Sequence, residues 1–456
     1  MSGTHLGREN YDAIVIGSGQ AGGPLAIEFA RAGLQTALLE ESGRSGASVE
    51  IGCEPSLSQI ASANITGMVC EIPEFGTVQL CKQAVTAGSR VGVTRTLSDT
   101  PGLTVFKGDV RFDGAQSLLV HEGDDSVAEL RANRIFINTG ARPALPHVPG
   151  LDAVPYLTSS SAMDLGELPE DLLILGGSYL GVELGQMFRR FGSRVSIIER
   201  GAQLLAREDR DIAAAVAEIL REDGVEVFLE TDAIGVDNDC AGGVKLKVRT
   251  PSGEHVLAGS RLLVVAGREP NTDGLDLSAA GIAVDARGYI KVNERLETSA
   301  RGVYALGGVN GGPGFMHVAH DESRTICANV LDSARTTKSG RTRAYTAFTD
   351  PQLGRIGLTE SEAREQGRAV KVAKRPMKRA QATASNVSRG LMKVVVDNDT
   401  DRIIGAAALG IDSGEIIAML QVAMMANMPY TALCDGMSAH PSLARPLGNL
   451  FAALDG

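Results

Sequence analysis

The chain has 456 residues, 43% of them hydrophobic and 22% charged, which suits a globular protein with room for two to four domains of ~100–200 residues. Its 44 basic and 55 acidic residues give a formal charge of −11, which argues against non-specific nucleic-acid binding. No apolar run approaches the ~20 residues of a membrane span, the N-terminus lacks a signal-like apolar core, and the cysteines show no disulfide-framework spacing, so a cytoplasmic protein is expected.

An apolar run at 13–16 predicts a strand. A glycine turn follows, then a helix-period stretch at 25–32 and a second strand at 36–39 that closes on Glu40. Gly17, Gly19 and Gly22 fit G-x-G-x-x-G. The first glycine permits the tight turn, the second lets a pyrophosphate approach the backbone, and the third lets the helix pack close. The pyrophosphate would sit at the positive end of that helix, and Glu40 can accept hydrogen bonds from ribose hydroxyls.

Apolar and polar residues alternate over 103–137, which predicts a small antiparallel sheet. Residues 137–150 are a Gly/Pro-rich crossover. At 171–199 the strand–turn–helix–strand plan returns, and Gly17 to Glu40 and Gly176 to Glu199 both span 23 residues. The second turn reads Gly176, Gly177, Ser178, Tyr179, Leu180, Gly181, with Ser178 where the middle glycine would be. Glu199 at the ribose position repels a 2′-phosphate and slightly favours NADH over NADPH; the neighbouring Arg200 pulls the other way.

From about 271 to 335 the chain reads as a return to the first domain, and 337–345 is polar and basic like a linker. The last part carries strand-like runs at 391–396 and 403–408 and an apolar helix at 415–425. Met419, Met424 and Met425 suit a core or a dimer interface. The expected domains are 1–150 with 271–335, 151–270, and 345–456.

Further stretches carry a family likeness: INTGARP at 137–143, VAGREPN at 265–271, GVYALG at 302–307, FTDP at 348–351 with GLT at 357–359, and HPSLA at 440–444. With the two nucleotide motifs in this order, the chain resembles the pyridine nucleotide–disulfide oxidoreductases from Tyr11 to Phe451. The mercuric-reductase-like and dihydrolipoamide-dehydrogenase-like branch is nearest. The resemblance implies an α/β fold of two Rossmann-like dinucleotide-binding domains and a C-terminal α+β dimerisation domain. It implies FAD at the first site, with Thr139, Gly140, Gly307 and Gly308 joining the first glycine loop and Glu40. NAD(P)H would occupy the second site, at Gly176, Ser178, Tyr179, Gly181 and Glu199. It also implies a homodimer in which His440 enters the partner's active site.

Departures from the family pattern carry information. The redox motif, roughly G-G-T-C-V-N-V-G-C-I-P-S-K, reads SGASVEIGCEPSL at 45–57. Ser48 replaces the first cysteine, and a hydroxyl cannot close a disulfide with Cys53 or undertake thiol exchange. Leu57 replaces a lysine that in relatives pairs with the glutamate here numbered Glu183. If Glu183 is buried and unpaired it becomes harder to ionise; if it is solvated or paired elsewhere it does not. Arg445 replaces the glutamate that orients the histidine, so a cation beside His440 would lower its pKa. Gly308 replaces an aspartate that binds the ribityl chain, and Ala47 replaces the threonine of the motif. His317 and His320 lie in a family segment that lines the flavin, and without further ligands no metal is assigned.

Three functions follow. The first is an FAD-dependent NAD(P)H oxidoreductase without the redox disulfide, passing electrons or hydride directly to a small organic acceptor such as a quinone or a biosynthetic intermediate. Cys53, His440, Glu183, Arg445 and Ser48 would line its reaction site, with Arg445 favouring an anionic acceptor. The second is a flavin-poor or flavin-free nucleotide-binding protein on the same scaffold. The third is a peroxide or mixed-disulfide reductase using Cys53 alone, disfavoured because Glu50 and Glu54 would raise a thiolate's pKa.

Overall fold

The computed structural model describes residues 5–41, 59–60, 62, 75–122, 126–239, 242–338, 342–377, 389–436 and 445–454. The chain divides into two units: unit 1 comprises 1–58, 80–144 and 267–341, and unit 2 comprises 59–79, 145–266 and 342–456.

The sheet of unit 1 is built from β1 (His5–Ile16), β2 (Thr36–Glu40), β3 (Leu103–Lys107), β4 (Asp109–Gly114), β5 (Ser117–Glu122), β6 (Ser126–Ile137) and the short strand Val303–Ala305. Its order is β3-β2-β1-β6-β5-β4, with Val303–Ala305 parallel to the end of β6. Burial on both faces explains the unbroken apolar run of β1. Ala13 and Val15 pack with Leu25 and Phe29 of α1 (Gly22–Arg31), while Ile14 and Ile16 pack with Phe112, Leu118 and Leu275. The antiparallel sheet expected over 103–137 forms only in part. β4, β5 and β6 pair antiparallel, but β3 lies parallel to β2 as the edge of the main sheet. Val105 and Phe106 are both half-buried there, so exposure along this edge strand does not alternate strictly, and an alternating sequence looks the same in either strand direction.

In unit 2, β7 (Asp171–Leu175) lies between β8 (Arg194–Ile198) and Arg261–Val264, parallel to both, with Val225–Phe228 and Tyr156–Leu157 completing the sheet. The crossover helix α2 (Tyr179–Phe191) buries Val182, Leu184, Met187, Phe188 and Phe191 at helical spacing. A three-stranded antiparallel sheet, Asp232–Asn238, Val244–Thr250 and Gly253–Gly259, follows.

The C-terminal part of unit 2 is an antiparallel sheet in the order Ala344–Ala347, Gln352–Gly357, Ile403–Gly410, Leu391–Asp397, Val370–Pro376. The helix Ser413–Met425 sets Ile416, Ile417 and Leu420 in the same core as that sheet. Met419 and Met424 pack against this core, whereas Met425 is 71% exposed. The fold is therefore α/β, with two Rossmann-like segments and a C-terminal α+β domain. Among the described residues no helix is long and apolar enough to cross a membrane.

Candidate functional site

In unit 1 the strand end of β1 turns at Gly17, where φ is +99° and a Cβ would lie 2.5 Å from the Asn138 carbonyl oxygen. A Cβ on Gly22 would lie 2.0 Å from the Gly17 carbonyl oxygen, so both positions exclude any side chain. The N-cap residue Ala21 caps α1 with no side chain, and of the first-turn N–H groups that of Gly22 goes to Asn138 Oδ1, so the helix keeps a positive end for an anion. Glu40 closes β2 only 6% exposed, and its carboxylate has no hydrogen-bond partner among the described residues. With no protein partner among the described residues, its oxygens are left to accept a ligand's hydroxyls. Loop, helix end and carboxylate together fit a dinucleotide such as FAD.

The other residues expected at this site lie on the neighbouring strand ends. Thr139 Oγ1 donates to the Asn271 carbonyl at 2.8 Å, and Asn271 Nδ2 donates to the Thr139 carbonyl at 2.8 Å. Arg142 ties the short strands Ala141–Pro143 and Arg268–Pro270 together through Glu269 at 2.7 Å. The Gly307 N–H donates to Glu322 at 2.7 Å. At Gly308 the nearest atoms to a Cβ would be Ala141 N at 3.4 Å and Ala141 Cβ and Gly140 C at 3.5 Å, ordinary contact distances, so the backbone there does not demand glycine.

In unit 2 the second loop repeats the close approach, with a Cβ on Gly181 2.0 Å from the Gly176 carbonyl oxygen. Ser178 takes the N-cap position of α2 in an extended conformation without a side-chain cap. Glu199 is drawn into the loop itself: its two oxygens accept the N–H groups of Gly177 and Gly201, each at 2.7 Å. The Tyr179 hydroxyl donates to Glu208 at 2.7 Å and lies 3.0 Å from that of Tyr345, which also donates to Glu208, at 2.6 Å. Burial and the adjacent Glu208 carboxylate push both phenols well above their ordinary pKa.

Glu183, Gln186 and Arg190 lie along α2 and grip one segment. Glu183 Oε1 accepts the Phe348 N–H at 2.7 Å. Gln186 receives the Asp350 N–H and donates to the Asp350 carbonyl, both at 2.8 Å, and Arg190 meets the Asp350 carboxylate at 2.6 Å. Burial pushes Glu183 up to about 7, with the Phe348 N–H pulling the other way. Glu183 is half-buried, and no cation pairs with it among the described residues.

A buried ionic cluster lies close by. Arg355 and Glu208 are almost wholly buried and 3.5 Å apart, and Arg355 is also 3.5 Å from Asp209. Lys393, equally buried, contacts Asp209 at 3.3 Å, Asp211 at 3.1 Å and Glu360 at 2.8 Å. Burial alone would raise Asp209, but the Glu360 N–H, Lys393 and Arg355 outweigh it and hold the carboxyl below its ordinary value. The sequence offered no signal for Gln186, Arg190 or this cluster, whose partners lie far apart along the chain, and Asp350 stood only within the FTDP stretch with no sign of its partners.

Ser48, Cys53, Leu57 and His440 lie outside the described residues. Arg445 begins the helix Arg445–Phe451 and is exposed. Cys81 is exposed, and Cys327 is half-buried with its thiol pushed up to about 11 by that burial.

Comparison with known proteins gives a consistent result. The family described as "Pyridine nucleotide-disulphide oxidoreductase" matches residues 11–323, and its "dimerisation domain" matches residues 343–450. The "probable pyridine nucleotide-disulfide oxidoreductase RclA" of Escherichia coli is 36% identical over 447 residues, 97% of this chain and 99% of its own. A mercuric reductase of Streptomyces lividans is 31% identical over 450 residues, 96% of this chain and 94% of its own. A solved structure, the Cu(II) complex of the HOCl-induced flavoprotein disulfide reductase RclA from Escherichia coli, has a TM-score of 0.89 at 36% identity and covers 98% of this chain and 99% of its own.

Proposed function

Because the chain belongs to the pyridine nucleotide-disulphide oxidoreductases, a family of flavin-dependent enzymes, we propose that it is an NAD(P)H oxidoreductase working without a redox disulfide. The observation that carries this reading is Ser48 at the position of the first cysteine, which leaves Cys53 without that partner. FAD, when bound, supplies the two-electron chemistry. Gly17, Gly19, Gly22 and the start of α1 would hold its pyrophosphate, Glu40 its ribose, and Thr139, Gly140, Gly307 and Gly308 the rest. Gly176, Ser178, Tyr179, Gly181 and Glu199 would take the pyridine nucleotide, and the charge of Glu199 supports NADH.

Electrons would pass directly to a small organic acceptor, a quinone or a biosynthetic intermediate. Arg445 would favour an anionic one, and Glu183 would hold a proton near neutral pH. The match to the family's dimerisation domain supports a homodimer to which His440 contributes. RclA is named a disulfide reductase, so disulfide reduction is the competing reading, and Ser48 speaks against it.

An anaerobic titration with NADH and NADPH, followed by visible absorption, tests the proposal. The expected result is a flavin band bleached by one equivalent with no further uptake, then reoxidised by a quinone. Uptake of a second equivalent would reveal a dithiol pair and overturn the reading. A colourless protein that takes up no added FAD would overturn it as well. Cu(II) belongs in the acceptor panel because the RclA structure is a Cu(II) complex.

A further inference from the structure

Four of the glycines in the two flavin motifs crowd one residue, Gly19, Gly22 and Gly307 its side-chain amide and Gly17 its backbone carbonyl. Asn138 follows β6, is 9% exposed, and donates its backbone N–H to the Ile16 carbonyl at 2.8 Å. A Cβ on Gly17 would lie 2.5 Å from its carbonyl oxygen. On Gly19 and Gly22 a Cβ would lie 3.3 and 2.9 Å from its Oδ1, and on Gly307 2.8 Å from its Nδ2. The side-chain amide is used at both ends. Oδ1 accepts the Gly22 N–H at 2.8 Å, and Nδ2 donates to the Leu306 carbonyl at 2.9 Å.

We propose that Asn138 is a flavin-positioning residue: its amide fixes the spacing between the phosphate loop at 17–22 and the second flavin motif at 306–308, and so sets the affinity for FAD. The proposal rests on the reading of the unit 1 glycine loop as the FAD site. The chemistry of the pair is selective. Gly22 offers a donor and Leu306 an acceptor, so the bridge needs one acceptor and one donor on a short planar group. An ionised aspartate has no donor for Leu306, and alanine has neither function. Gly308 brings no side chain of its own to this motif, so the placement of its backbone depends on such a tie.

The test compares wild type, Asn138→Ala and Asn138→Asp as apoproteins titrated with FAD, read by quenching of flavin fluorescence. The thermal transition of each apoprotein and its NADH binding are measured alongside. Asn138→Ala is expected to weaken FAD by about 10- to 100-fold while NADH binding is unchanged, as two lost hydrogen bonds would imply. Asn138→Asp is expected to be similarly weak near pH 8 and to recover to within about threefold of wild type near pH 5.5, because a protonated carboxyl again offers one donor and one acceptor.

FAD affinity within about twofold of wild type in both variants would overturn the proposal, since a broken bridge should cost more. So would a pH-independent loss that tracks a fall in the apoprotein's thermal transition, which would make Asn138 a fold support only. Recovery of Asn138→Asp at low pH decides the matter even where Asn138→Ala does not fold. Wild-type apoprotein that takes up no FAD would instead remove the reading on which the proposal rests.

Discussion

Glu183 Oε1 accepts the backbone N–H of Phe348 at 2.7 Å, so a carboxylate of the nucleotide helix is tied to the main chain just beyond the first strand of the C-terminal sheet. Burial holds its pKa up at about 7, against an ordinary value of 4.5. Between those two values the folded state keeps a proton that the unfolded state has lost. Stability from this group is therefore full below the lower value and falls as pH rises through the upper one. Glu183→Gln keeps the acceptor and removes the charge. The variant should melt with wild type near pH 4.5 and exceed it by about 2 kcal/mol near pH 8. Equal stability at the higher pH would mean that water solvates the carboxylate.

Ser48→Cys restores the thiol missing from the redox motif. If position 48 can reach Cys53, reductive titration should rise from one equivalent of NAD(P)H to two, with a disulfide detectable by thiol counting before and after reduction. A variant that still takes one equivalent would show that more than one residue separates this site from dithiol chemistry.

Gly308→Asp adds a carboxylate where the nearest obstacles to a Cβ are Ala141 N at 3.4 Å and Ala141 Cβ at 3.5 Å. The expected outcome is FAD bound about 3- to 10-fold more tightly, the gain of one hydrogen bond, with the apoprotein's melting temperature unchanged. Weaker FAD binding would show that the loop needs the bare backbone.

Lys393→Met should be among the most damaging changes in the chain. It leaves Asp209, Asp211 and Glu360 facing one another without the ammonium that contacts all three. Asp209 keeps Arg355, Asp211 keeps Lys374 and Glu360 keeps Arg364, so a loss of about 2 kcal/mol is expected from removing the one shared cation. Because all three carboxyls sit below their ordinary pKa, the stability they contribute is present above that value and drains away as pH falls through the lowered one. The variant should therefore show a shallower acid dependence than wild type in melts run downward from neutral pH.

The elements that build the two nucleotide loops were legible because their signals are local. Glycine spacing, an apolar run and an acidic strand end all fall within 11–40 and again within 171–199. The direction of β3 was not legible, since alternation reports which face is wet and not which neighbour a strand adopts. Asn138 lay inside a quoted motif, yet nothing in the string shows that its amide reaches Gly22 on one side and Leu306 on the other. The Arg355–Glu208 and Lys393–Asp211 pairs join residues 147 and 182 positions apart, and no window of sequence brings such partners together.

The grip of Glu183, Gln186 and Arg190 on Phe348 and Asp350, together with the Lys393 cluster, bears on modularity. A fragment ending near residue 266 would carry Glu208, Asp209 and Asp211 into water with their cations left behind, and would not inherit the stability of the whole unit. Grafting the C-terminal domain of a relative onto this chain faces the same obstacle. The counterparts of Arg355, Lys393 and Asp350 would have to travel with the graft, so this seam is inherited as a block and not piece by piece.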